Sequence, residues 1–140
     1  MAAKTDFTED EWKELQQGVT GAGLLVSTAH RDFTDSFSEA KAVATQLAAH
    51  RDSQSELVRD LSGTHGTGFG LVASPKEVVE RTMSGLSASV ALLTEKAPDE
   101  LEAYRALVLD VANAVAEAKG GVQDEETAAI ERIRGALGIA

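Results

Sequence analysis

Apolar residues recur along most of the chain in alternating steps of three and four, which is the period of one face of an α-helix. The first series follows Thr8 and contains Trp12, Leu15, Val19, Ala22, Val26 and Ala29. Thr8 and Glu11 have the spacing of a capping box, in which each side chain hydrogen-bonds the backbone amide of the other residue. We therefore predict a first helix of roughly 20 residues that begins at Thr8.

Five further series predict five further helices. Their expected start signals, in chain order, are the capping boxes Ser36–Glu39 and Ser53–Glu56, the Ser74-Pro75 pair with Glu77, then Pro98 and Asp124. The stripe expected on the fourth helix is Val79, Met83, Leu86, Val90 and Leu93. Gly138 is expected to end the last helix, because glycine readily adopts the left-handed conformation found there. Since no segment shows the alternation of β-branched and aromatic residues typical of strands, we predict an all-α bundle of about six helices.

The first stripe recurs later in the chain at a constant offset. Adding 89 to its positions gives Leu101, Tyr104, Val108, Val111, Val115 and Ala118. The agreement continues through the next turn, where Phe33 matches Val122, and after a two-residue insertion Glu39 matches Glu126. This repeat predicts two pseudo-symmetric helix–turn–helix halves, at about 8–62 and 75–138, joined by a glycine-rich loop at 63–74. Together they form one domain, residues 1–140.

Glycines concentrate in the first predicted helix, at Gly18, Gly21 and Gly23. Each glycine inside a helix costs roughly 1 kcal/mol relative to alanine. A cluster of them indicates that another backbone passes close by, so we expect this helix to be central in the bundle.

Charge and composition narrow the classes of function. The chain has 23 acidic and 13 basic residues, a net charge of −10, and no cysteine. This charge disfavours binding to nucleic acid and to anionic membranes, and the lack of cysteine excludes disulfides and thiolate metal sites. The N-terminus lacks the apolar core of a signal peptide. The longest uncharged stretches, around Gly18–Ala29 and Ser84–Thr94, are too short to span a bilayer. We expect a cytoplasmic protein without a membrane span.

The segment 114–138, AVAEAKGGVQDEETAAIERIRGALG, resembles the C-terminal hairpin of the TerB-like family, named for a component of tellurite resistance. The first hairpin is similar to the N-terminal copy of that family, more loosely, at Leu25, Val26, His30, Phe33, Glu39 and Val43. The resemblance implies an all-α fold of two pseudo-symmetric halves and an acidic surface that binds divalent metal. It also implies a role in bacterial stress response through partner proteins.

The turns depart from the pattern of the family. Where the family has a turn aspartate, this chain has Lys119 in the second copy and His30 in the first. A lysine ammonium group has no lone pair to offer a cation, which disfavours a metal site at the second turn. The candidate metal ligands are therefore the cluster at the first turn, together with one acid from the second hairpin if the hairpins face each other: His30, Asp32, Asp35, Glu39 and Glu126. Helix capping is the alternative role for these acids.

Catalytic motifs are not recognisable. His30, His50 and His65 lie in separate elements, and the loop Gly63–Gly70 lacks the lysine and hydroxyl residue of a phosphate-binding loop. We expect a non-enzymatic TerB-like helical binding or scaffold module with a protein partner and no cofactor. The alternatives are a divalent-metal sensor or buffer that uses the acidic turns, and a small-ligand or enzymatic role in a pocket between the halves. The sequence indicates neither the identity of the partner nor the oligomeric state.

Overall fold

The computed structural model describes residues 7–29, 45–53, 55–62, 75–118 and 124–139. The helices in these ranges are α1 (Glu9–Ala29), α2 (45–49), α3 (Glu56–Ser62), α4 (Pro75–Lys96), α5 (Leu101–Ala118) and α6 (Asp124–Ala136). A short 3₁₀ helix, Pro98–Glu100, joins α4 to α5. The described ranges contain no strand, so the predicted all-α fold class is confirmed. None of these helices combines the length and the apolar character needed to cross a membrane.

The start of α1 is held by local interactions that the sequence predicts. The Thr8 amide donates to Glu11 Oε1 at 2.9 Å, and the Glu11 amide donates to Thr8 Oγ1 at 3.1 Å. The Phe7 ring packs against Trp12 with 6.1 Å between centroids, which adds an apolar clamp across the same turn. Lys96, at the end of α4, donates to Glu11 Oε1 at 2.8 Å. The capping box is confirmed, and it also joins α1 to α4.

Helix α1 lies at the centre of the bundle and packs against α4, α5 and α6. The predicted close approach occurs where α1 and α4 cross. A Cβ atom at Gly85 of α4 would lie 3.5 Å from the carbonyl oxygen of Glu14 and 3.9 Å from the backbone nitrogen of Gly18. A Cβ atom at Gly18 would overlap the hydroxyl of Tyr104. The contacts at Gly85 are ordinary van der Waals distances, whereas at Gly18 glycine leaves the space that the Tyr104 hydroxyl occupies.

The predicted stripes of α1 and α5 contribute nine buried residues to the core. The buried members are Trp12, Leu15, Val19, Ala22 and Val26 on α1, and Tyr104, Val108, Val111 and Val115 on α5. Leu101 is half-buried, and the side chains of Ala29 and Ala118 lie outside the described residues. Ala129, Ile133 and Leu137 complete this core from the α6 side.

The stripe predicted for α4 is partly wrong. Leu86 and Leu93 are buried as expected, but Val79, Met83 and Val90 are only half-buried. In their place the small residues Thr82, Gly85 and Ser89 are buried. The side of α4 that packs on α1 includes Gly85 and also Leu86, whose Cδ2 would lie 3.1 Å from a Cβ atom at Gly18. Val79, Met83 and Val90 lie at the edge of the buried side.

The predicted capping box at Ser53 and Glu56 is also wrong. The residue that caps α3 is Ser55, whose Oγ accepts a hydrogen bond from the amide of Val58 at 3.2 Å. The carboxylate at this helix start comes from Glu100, which accepts from the Ser55 hydroxyl and from the Leu57 amide at 3.4 Å. A distant residue therefore supplies the acidic group that local spacing assigned to Glu56.

The end of α6 follows the sequence prediction. Gly138 has a φ of 74°, and the Ile139 amide donates to the carbonyl of Arg134 at 2.9 Å, as expected for a glycine-terminated helix. Arg105 Nε also donates to the carbonyl of Leu137 at 2.8 Å. This contact from α5 satisfies a carbonyl that the helix itself leaves without an amide partner.

The predicted duplication stays a prediction. Four of the offset pairs are buried at both positions: Leu15–Tyr104, Val19–Val108, Ala22–Val111 and Val26–Val115. The pair Trp12–Leu101 differs, since Trp12 is buried and Leu101 is half-buried. Any two amphipathic helices that face one core show similar agreement. The predicted linker at 63–74 and the predicted Ser36–Glu39 cap lie outside the described residues.

Candidate functional site

The predicted metal ligands fall largely outside the described part of the chain. His30, Asp32, Asp35 and Glu39 are not among the described residues, and neither is Lys119. Glu126 lies in the first turn of α6, but its side chain is not described. The prediction of a divalent-metal site at the first turn therefore stays a prediction.

Within the described ranges, His, Asp and Glu side chains form no group of three or more that could hold a metal ion. One pair does join two elements. His50 Nε2 lies 3.0 Å from Asp110 Oδ2, which connects the end of α2 to the exposed side of α5. A pair of this kind at the surface contributes little stability, about 0–1 kcal/mol. The pair therefore connects the end of α2 to α5.

Among the described residues, Tyr104 is the largest side chain that is fully buried. Its hydroxyl donates to the carbonyl oxygen of Leu15 at 2.8 Å. Burial raises the pKa of Tyr104 well above its usual value, the nearby Glu14 carboxylate adds to this shift, and the Ser89 hydroxyl partly offsets it. The phenol therefore stays protonated and acts as a hydrogen-bond donor between α5 and α1.

Glu100 is a carboxyl group with 5% of its surface exposed. It accepts hydrogen bonds from two groups at the start of α3, the Ser55 hydroxyl and the Leu57 amide. Burying an ionised group without partners is costly, and these donors compensate for part of that cost. Glu100 therefore connects the start of α3 to the turn between α4 and α5.

The outer side of α4 is exposed over a long stretch without charge. No charged residue occurs from position 82 to position 94 in a chain of which 26% is charged. Residues spaced by alternating steps of three and four line this side of the helix. They are Arg81, Ser84, Ala88, Ala91 and Glu95, and we refer to them as the α4 seam. Ala88 is half-buried and the other four are exposed.

The α4 seam is held in place by the opposite side of the same helix. Leu86 and Leu93 are fully buried there, so α4 cannot rotate without losing core contacts. Arg81, at one end of the seam, lies 3.8 Å from Glu77. The centre consists only of small uncharged side chains on a rigid helix. Such an arrangement can contact another helix closely.

Part of this surface is visible in the amino-acid sequence. The uncharged stretch Ser84–Thr94 is visible in the sequence, where it bears on whether the chain can span a membrane. Whether its residues are exposed depends on which side of α4 faces α1. None of the seam residues belongs to the predicted stripe, so the pattern already indicated that they are exposed, but it did not indicate that this side could be a binding surface.

Comparison of the chain with protein-family models, with curated proteins and with solved structures found no match. The resemblance to TerB-like proteins consequently stays a prediction.

Proposed function

We propose that this protein is a non-enzymatic helical binding module, similar to TerB-like proteins, that acts in a bacterial stress response of the tellurite-resistance type by binding another protein chain. The observation that carries the proposal is the α4 seam. Four of its five residues are exposed and its centre is uncharged, although the chain as a whole has a net charge of −10.

The contrast between α4 and α5 supports this assignment. The exposed side of α5 carries Glu102, Asp110 and Glu117, as expected for a surface that remains in water. The exposed side of α4 between Arg81 and Glu95 carries serine, alanine and threonine. Charged residues are depleted in the cores of protein interfaces, because removing a charge from water costs free energy. The α4 seam has that composition, whereas the α5 surface does not.

The polar groups in the interior support a non-enzymatic role. Tyr104 donates to Leu15, and Glu100 accepts from the start of α3. Near the surface, His50 pairs with Asp110. Each of these groups therefore stabilises the contact between two elements, and each would have to give up that contact in order to act on a substrate.

Site-specific photo-crosslinking in the producing bacterium tests the proposal. A photoreactive amino acid is placed at Ala91 in the α4 seam, and separately at Ala106, an exposed alanine on the acidic side of α5, as the matched control. We expect discrete protein adducts from Ala91 and few from Ala106, identified by mass spectrometry in cells grown with and without tellurite. Equal labelling at the two positions, or no adduct at Ala91, would contradict the proposal.

Introducing a charge provides an independent check. Ala91→Glu places a carboxylate in the middle of the seam, and an interface that excludes water there should be weakened strongly. Ala106→Glu adds the same charge to α5 and should have little effect. Both positions are exposed, so both variants should keep the helical circular dichroism of the wild type.

A further inference from the structure

We draw no further inference here: the strongest candidate, the acidic cluster of Glu102, Asp110 and Glu117 on the exposed side of α5, carries none because, within the described part of the chain, nothing beside these carboxylates points to a ligand or shows what covers them.

Discussion

The hydroxyl of Tyr104 donates a hydrogen bond to the carbonyl oxygen of Leu15 at 2.8 Å, and the two residues are 89 positions apart in the chain. That separation equals the offset between the apolar stripes of α1 and α5. Residues related by a two-fold axis contact each other only near the axis. If the two halves are duplicates, their pseudo-two-fold axis therefore passes close to Leu15 and Tyr104.

The hydroxyl of Tyr104 occupies the space that a side chain at Gly18 would need. Replacing Gly18 with alanine would favour the helix by roughly 1 kcal/mol in an unconstrained position. Here the new Cβ overlaps the Tyr104 hydroxyl and lies 3.1 Å from Leu86 Cδ2, so we expect Gly18→Ala to destabilise the fold by about 1–3 kcal/mol. Urea unfolding gives the change in free energy.

Two further variants identify the cause of that loss. Gly135→Ala in α6 adds a Cβ with no atom within 4 Å, and it should be neutral or stabilising. In a Tyr104→Phe background the overlapping oxygen is gone, so Gly18→Ala should cost less, with a coupling of about 0.5–3 kcal/mol. Additive effects of the two substitutions would show that Tyr104 does not determine the need for glycine.

Glu100 connects the start of α3 to the turn before α5. In Glu100→Ala the Ser55 hydroxyl and the Leu57 amide lose their acceptor, and we expect a loss of about 1–3 kcal/mol of stability. Glu100→Gln keeps an acceptor oxygen and should cost less. Relative to the wild type, amide hydrogen exchange in Glu100→Ala should become faster in α3, with a smaller change in α1.

The control for this effect is Glu102→Ala. Glu102 is exposed and contacts Arg105 at 2.6 Å on the same helix, so its loss should cost no more than about 0.5 kcal/mol. It should also leave exchange in α3 unchanged. Equal destabilisation by Glu100→Ala and Glu102→Ala would refute the assigned role of Glu100.

The capping box of α1 predicts a dependence of stability on pH. Lys96 and the Thr8 amide lower the pKa of Glu11 below its ordinary value of 4.5. A carboxyl group whose pKa is lowered by folding stabilises the protein at pH values above 4.5, and this contribution is lost as the pH falls through the folded-state pKa. Melting temperatures of the wild type and of Glu11→Gln should therefore differ at neutral pH and converge in acid. Glutamine keeps the capping geometry but not the charge. A constant difference at all pH values would contradict the assignment.

The predicted metal site can be tested directly. If the protein is a binding module without a metal, calorimetric titration with Ca²⁺, Mg²⁺ and Zn²⁺ at millimolar concentration should give no saturable heat and no rise in melting temperature. If the alternative prediction holds, saturable binding should appear and should disappear in Asp32→Asn/Asp35→Asn. Glu131→Gln, an exposed acid on α6, is the control and should leave any binding unchanged.

Features that depend on neighbouring residues were predictable from the sequence. The Thr8–Glu11 capping box, the extent of α1, the glycine that ends α6 and the stripes of α1 and α5 all involve residues a few positions apart. In each case the relevant distances are set by the geometry of one helix, which the sequence specifies directly.

The cap of α3 and the limits of the buried side of α4 needed the tertiary structure. Glu100 reaches the start of α3 from 43 residues away, and no local spacing reveals that contact. On α4 the predicted stripe correctly placed Leu86 and Leu93 in the core, but the structure also buries the small residues Thr82, Gly85 and Ser89 and leaves Val79, Met83 and Val90 half-buried. The sequence determined which segments are helical, how α1 starts and how α6 ends, because these depend on short-range hydrogen bonds. Only packing decided the cap of α3 and the limits of the buried side of α4, because these depend on residues that are distant in the chain.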